Sequence, residues 1–455
     1  MLSQKKKVAL DKVIYMITLI TLSIIAGIYF GSNAIAICSM IFGFLIIAIN
    51  RKEYDLWGIV AVALVISTVM TIIICQGEFL RFGSPYYIGG SDDLDFEQFS
   101  KLCIDEGRFT PVQVYRGFYW YNSVGYLWVL SWIMRLANLV GGYHTFVGRI
   151  FNVYILLQIG LLAVRYYRLH NKDCSKLKQL FLLVTIFPNA IYITGHVFRD
   201  TLAVCLVFYC FIKFDLFSFV KNESNGIKRK KYIFDIIKIL LAAGLAVFIR
   251  TQSLLLIIFS FGITYILNKR ATARRVFLYL IIGFVFVVTV MKPILSMFDL
   301  YTSYYYDYMA NKPSIGFSSV IWKLPLIPFG FFVRILYGLA SPFPNGVLEI
   351  WYLFEDPLVF INVFISIGTL FQILCLPYIF FRSKKRSSSY YMFILTFLMV
   401  VLTTFTFRHF LYVYPFMWIE MVGQRTYTSN YRKVIFFIGM AEIVVILSVL
   451  YFLLI

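Results

Sequence analysis

The feature that most constrains this chain is a succession of apolar runs, each close to the roughly 20 residues with which a helix crosses about 30 Å of hydrocarbon. The first, "VIYMITLITLSIIAGIYF", follows a basic head at Lys5, Lys6 and Lys7, and comparable runs recur as far as Ile455. Backbone groups inside a bilayer find no water, so these runs are expected to be helices. The two-residue alternation of a membrane barrel is missing. With 61% hydrophobic and 14% charged residues, a soluble globule is excluded. The fold class expected is all-α: a polytopic helical membrane protein.

Basic clusters orient the spans, because Lys and Arg accumulate on the cytoplasmic side. Lys5–Lys7 place the N-terminus in the cytoplasm, and the first run, with no small-residue cleavage site, reads as an uncleaved span. Spans near 13–31, 33–50 and 57–75 then deliver the chain outside at Gln76. The next apolar piece, 122–140, is expected to lie along the interface, since a crossing there would put "RYYRLHNKDCSKLK" outside; 146–165 crosses instead. Further spans follow near 177–195, 198–216, 232–249, 252–268, 275–292, 357–381, 390–406, 409–423 and 434–454, about thirteen in all. "LPLIPFGFFVRILYGLA" reads as re-entrant or interfacial because it carries Pro325, Pro328 and Arg334. The organisation expected is N-terminal spans at 1–75, an outer acidic loop with its interfacial helix at 76–145, and central spans at 146–292. A second outer loop at 293–356 and C-terminal spans at 357–455 complete it.

The net charge of +20 comes from short clusters between spans, which positive-inside orientation and attraction to lipid head groups explain without a nucleic-acid partner. Seven cysteines show no metal-ligand or CxxC spacing. Against this background "YYIGGSDDLDFEQFS" concentrates Asp92, Asp93, Asp95 and Glu97 in one outer stretch. Three readings stay open. Ser91 with the acids after it suits a helix N-cap and first turn. Crowding raises the pKa of at least one carboxyl, which suits a general base for a sugar hydroxyl. Asp92, Asp93 and Asp95 would also suit a divalent metal, which prefers clustered carboxylates. No other cofactor is implied.

Cationic groups stand at the outer ends of several spans: Arg199 beside Asp200, Arg250, Lys292, and Arg408 beside His409. Arg grips phosphate through two parallel charge-assisted bonds, so Arg199, Arg250 and Arg408 are candidate ligands of a lipid phosphate. The bland alternative is span-end cations that reach head groups. The Tyr and Trp residues of 115–132 read either as sugar-stacking rings or as interface anchors.

The order of these motifs resembles the GT-C superfamily of membrane glycosyltransferases and the related Wzy-type polymerases of cell-surface polysaccharides. The acidic pair of the first large outer loop is matched by Asp92-Asp93. The interfacial helix is matched by "YNSVGYLWVLSWI", and a span opened by Arg and a small polar residue by "GRIFNVYILL" with Arg149 and Asn152. "FPNAIYITGHVFRDTLAVCLVF", "LASPFPN" and "RHFLYVYPF" are similar to later segments of such proteins. Here the acidic pair follows the third span and not the first.

The resemblance implies transfer from a polyprenyl-phosphate- or pyrophosphate-linked saccharide to a saccharide acceptor at the outer face of a bacterial plasma membrane. Asp92 or Asp93 would be catalytic. Asp95, Glu97, Arg149, Arg199, Asp200, Arg250, Arg408 and His409 would contact substrate, alongside other proteins of envelope polysaccharide assembly. The alternative is a transporter or flippase of lipid-linked saccharides, although the ionisable groups cluster on one face and no internal repeat is visible.

Overall fold

The computed structural model describes residues 2–51, 53, 55–90, 92–121, 123–170, 175–220, 229–268, 321, 330–380, 387–401, 406–423 and 430–454. Every extended element among them is helical. The chain divides into two compact units. The first comprises Met1–Lys213, Gly226–Ile258 and Gly346–Gly368, and the second Phe214–Asn225, Phe259–Asn345 and Thr369–Ile455.

The first unit begins with α1 (Leu2–Tyr29) and α2 (Asn33–Ile49), a hairpin that turns at Gly31 with φ 62°. Leu19 occupies the space that a Cβ on Gly43 would need, so the two helices pack closely. α3 (Trp57–Phe82) ends at Gly83, whose φ of 70° is the left-handed C-cap that glycine adopts without steric cost. α7 (Thr145–His170) is the central post, and most of its length is buried. Polar side chains pin its neighbours to it. The Tyr154 hydroxyl lies 3.0 Å from that of Ser39, Asn50 Nδ2 donates to Gln158 at 2.6 Å, and Arg168 reaches both Glu53 and Asp55.

Around this post lie the pieces that carry the candidate site. α4 (Asp92–Asp105), α5 (Pro111–Gly117) and α6 (Val124–Asn138) are short and fill the region expected to be an outer loop. α6 has 15 residues, about 22 Å at the helical rise, too short to cross a bilayer. It lies against α4 and against α11 (Arg229–Ile249), where Gly125 meets the backbone of Phe248 and Ile249. α8 (Leu177–Thr185) and α9 (Pro188–Thr194) meet at a 50° bend, because Pro188 can start a helix but not continue one. A short non-helical stretch leads into α10 (Asp200–Val220); Arg250, Thr251 and Gln252 separate α11 from α12 (Ser253–Asn268).

In the second unit a 3-10 turn at Phe407–Tyr412 leads into the helix Tyr414–Val422, and the hydroxyl of Ser387 donates to Glu420 at 2.5 Å.

Four described helices have the length and apolarity of a membrane crossing: Ala9–Tyr29, Trp57–Phe82, Thr145–His170 and Pro357–Phe380, with the bent α8–α9 pair a fifth. The count of about thirteen crossings read from the sequence is not shown by these helices, and the reading differs from them in three places. The segment 177–195 is not one straight helix but two, bent by 50°. The segment 409–423 is a 3-10 turn followed by a nine-residue helix that starts at Tyr414 and Pro415. In the segment proposed as re-entrant, the helix Phe331–Leu339 also has only nine residues. The 275–292 span and Lys292 lie outside the described residues.

Candidate functional site

The site grows from the helical period of α4. Asp93, Phe96, Glu97, Ser100 and Cys103 recur at spacings of three and four and form its buried face, while Asp92 is half-buried and Asp95 exposed. Two carboxylates one turn apart are therefore sealed from water, an arrangement that repels unless each is matched by donors. Glu97 is matched by three hydroxyls: Tyr143 donates at 2.7 Å, Tyr86 at 2.9 Å and Thr145 at 3.0 Å. Burial pushes the Glu97 carboxyl above its ordinary range, and these hydroxyls and the Arg149 charge restrain that rise. Burial first, and Glu97 next, hold the Tyr143 and Tyr86 hydroxyls protonated, so they remain donors. Partial burial, with Asp92 and Asp93 beside it, raises Asp95.

Asp93 faces the loop that precedes α4. Its Oδ2 accepts the Tyr87 N–H at 2.9 Å, and Oδ1 accepts that of Leu94 at 3.1 Å. On the other side of the loop, Glu78 at the end of α3 accepts the Ile88 N–H at 3.0 Å. Ser84 donates to the Gly89 carbonyl at 2.7 Å, and Arg149 Nη2 donates to the Pro85 carbonyl. This grip holds an unusual backbone. Ile88 has φ 48°, which a β-branched residue rarely adopts, and Gly89 and Gly90 follow at φ 79° and 149°. Positive φ at a bulky residue is a local strain that the surrounding bonds offset, and such strain gathers at functional sites.

Arg149 is fully buried and braces two segments at once. Its Nη1 donates to the Gly195 carbonyl at 2.6 Å, on the stretch between α9 and α10, while Nη2 holds Pro85. Its buried Nε has no acceptor among the described residues. Asn152, one turn further along α7, donates to the carbonyls of His196 at 2.8 Å and Phe198 at 3.0 Å. His196 is buried, with Nδ1 2.8 Å from the Tyr192 carbonyl and Nε2 3.3 Å from Glu78 Oε1. A carbonyl only accepts, so the ring donates from Nδ1 to Tyr192, and its Nε2 side rests against Glu78. Arg199 is half-buried, with its guanidinium 5.8 Å from the centre of the Phe96 ring.

The structure places Asp93, Glu97, Arg149 and Arg199 around α4, with Asp92 at the start of that helix. Glu97 and Arg149, expected to touch substrate, are buried braces. Arg250, expected as a phosphate ligand, is ion-paired with the buried Asp200 and donates to Gln252 at 2.8 Å. Arg408 and the buried His409 belong to the second unit. Asp92, Asp93 and Asp95 do not converge on a cation, because successive helical positions point apart. No group of three His, Cys, Asp or Glu among the described residues is placed to hold a metal ion. Ser91, the expected cap, lies outside the described residues. Glu78, His196, Tyr86 and Tyr143 were missed by sequence reasoning. The signal for the first two was slight: an acid at a span end in "CQGEFLRF", and one of only four histidines just after a Pro-broken run.

A family described as a predicted membrane protein, DUF2142, matches residues 105–312. The matched stretch holds Arg149, Asn152, His196, Arg199, Asp200 and Arg250, and it begins at the last residue of α4. No curated protein and no solved structure matches the chain. Taken with the apolar helices, the match identifies a membrane protein similar to that family.

Proposed function

We propose that this membrane protein is a glycosyltransferase or polysaccharide polymerase that uses a polyprenyl-phosphate- or pyrophosphate-linked saccharide. It works at the outer face of a bacterial plasma membrane, with the N-terminus cytoplasmic and about thirteen crossings in the full chain. The observation that carries the reading is the approach of Arg199 to the acidic helix α4. Asp92 and Asp93 lie four and three residues before Phe96, on whose ring Arg199 rests. A carboxylate that can take a proton and a guanidinium that can take a phosphate therefore share one small region.

In this reaction Asp92, the half-buried member of the pair, accepts the proton of the acceptor hydroxyl as its oxygen bonds to the anomeric carbon, while the buried Asp93 holds the Tyr87 N–H. The bond from that carbon to the carrier's phosphate oxygen breaks, and the departing phosphate keeps the electron pair. Arg199 stabilises the charge that develops there, the kind of preorganised electrostatic help that accounts for much of enzymatic rate enhancement. Glu97, Arg149, Glu78 and Asn152 keep the loop and the α9–α10 stretch in place. Other envelope-assembly proteins would receive the product.

One observation favours a second reading, a flippase of the same carrier. The 50° break at Pro188 and the non-helical stretch before Asp200 resemble the discontinuous helices of transporters. Replacing Asp92 and Asp93 separately by Asn in the native host separates the two. Shortened surface polymer with lipid-linked units gathering on the outer leaflet supports transfer, whereas gathering on the inner leaflet supports flipping. Unchanged pools in both variants, with the protein in the membrane at normal level, reject both.

A further inference from the structure

A ladder of aromatic rings runs outward from the candidate site. Phe96, under Arg199, contacts Tyr121 with ring centres 6.1 Å apart, and Tyr121 contacts Phe99 at 5.0 Å and Trp120 at 5.7 Å. The ladder ends at Trp120, 58% exposed, and the next residue back along the chain, Tyr119, is 72% exposed. Tyr115, on α5, is also exposed. In an outer loop, exposed rings suit either a membrane interface or the flat faces of sugars.

Charge decides between these occupants. Helices that bind anionic lipid surfaces are rich in Lys and Arg on their polar face. Residues 92–138 contain six acids (Asp92, Asp93, Asp95, Glu97, Asp105, Glu106) and four bases (Lys101, Arg108, Arg116, Arg135), net −2 in a chain of +20. Two of the four bases are engaged within the loop itself. Arg135 donates to the Cys103 and Arg108 carbonyls and stacks on Phe109, and Arg108 is paired with Glu106 and donates to the Gln113 carbonyl. The indole N–H groups of Trp128 and Trp132 both donate to the Phe109 carbonyl and do not reach toward head groups. The surface offers rings and carboxylates, and little free positive charge.

We propose that Tyr119 and Trp120 form a binding shelf for an uncharged saccharide chain, along which the acceptor is led to the α4 carboxylates. This deepens the transferase reading and rests on it. Sugar rings stack on the exposed faces, and exposed carboxylates such as Asp95 and Glu106 accept their hydroxyls.

The test uses the full chain in nanodiscs, titrated with the uncharged oligosaccharide fraction released from the native host's envelope and followed by tryptophan fluorescence. Tyr119→Ala is the principal variant, because its ring is the most open. Trp120→Ala and the ring-retaining Tyr119→Phe and Trp120→Phe accompany it. The expected result is binding by the wild type, weakened about two- to tenfold by each Ala and restored by each Phe. Binding to vesicles of phosphatidylcholine with and without phosphatidylglycerol stays unchanged. Absence of saccharide binding by the wild type, or equal binding by Tyr119→Ala, overturns the shelf. Loss of affinity for phosphatidylglycerol vesicles in its place makes the rings a lipid anchor. If the shelf variants bind normally while Asp92→Asn still abolishes polymer, only the shelf is lost. If saccharide binding is confirmed but both Asp variants leave the polymer intact, the transfer reading fails and the shelf stands.

Discussion

Glu97 offers the sharpest test of how the site is held together. In Glu97→Ala, three half-buried hydroxyls lose their common acceptor at once, those of Tyr86, Tyr143 and Thr145. A net loss near 1 kcal/mol for each such bond gives about 2–4 kcal/mol in total, roughly a thirty- to thousandfold change in local opening. The loosened part should be the loop, because Tyr86 belongs to the same segment that Asp93, Glu78 and Arg149 grip. Hydrogen–deuterium exchange on the peptide covering residues 84–90, in purified full-length protein, reads this directly. Glu97→Gln keeps the size and one carbonyl acceptor, so it should cost under about 1 kcal/mol.

The pH dependence supplies a second arm. Burial raises Glu97 in the folded protein, so its protonated form is favoured by folding. Its contribution is therefore complete below the unfolded carboxyl range and declines as pH rises through the higher folded value. Loop exchange in the wild type should grow faster with pH than intrinsic exchange chemistry predicts, and Glu97→Gln should lack that excess. Equal protection of residues 84–90 in wild type and Glu97→Ala would refute the proposed bracing.

Three further outcomes follow from the same structure. Arg250→Ala strands the buried Asp200 carboxylate and should cost about 3–5 kcal/mol, seen as lost monodisperse protein in size-exclusion chromatography; adding Asp200→Asn should recover part of it. Gly125→Ala would set a Cβ 2.5 Å from the Phe248 backbone and should destabilise by about 1–3 kcal/mol, whereas Gly244→Ala, with nothing within 4 Å, should leave the melting temperature unchanged or higher. For sidedness, Tyr119→Cys should react with a membrane-impermeant maleimide in intact cells and Asp55→Cys only after permeabilisation; the reverse pattern would invert the topology.

The sequence by itself determined the class of this protein. Long apolar runs leave helices as the means of satisfying the backbone in a bilayer, and the short 122–140 piece was legible as a helix of its own. It also singled out the α4 acids, because charge is rare enough in this chain for a cluster to stand out. What it left undecided were the roles within that cluster. Four carboxylates look equivalent in a row, but the helical period buries Asp93 and Glu97 while leaving Asp95 exposed.

Only the tertiary structure turned Arg149 inward as a brace, joined Arg250 to Asp200 across fifty positions, and set His196 against Glu78. These pairings join segments distant in the chain, and no local pattern encodes such a partner. Whether a cation is open to a phosphate or already neutralised depends on what folds against it, and burial penalties make that pairing obligatory.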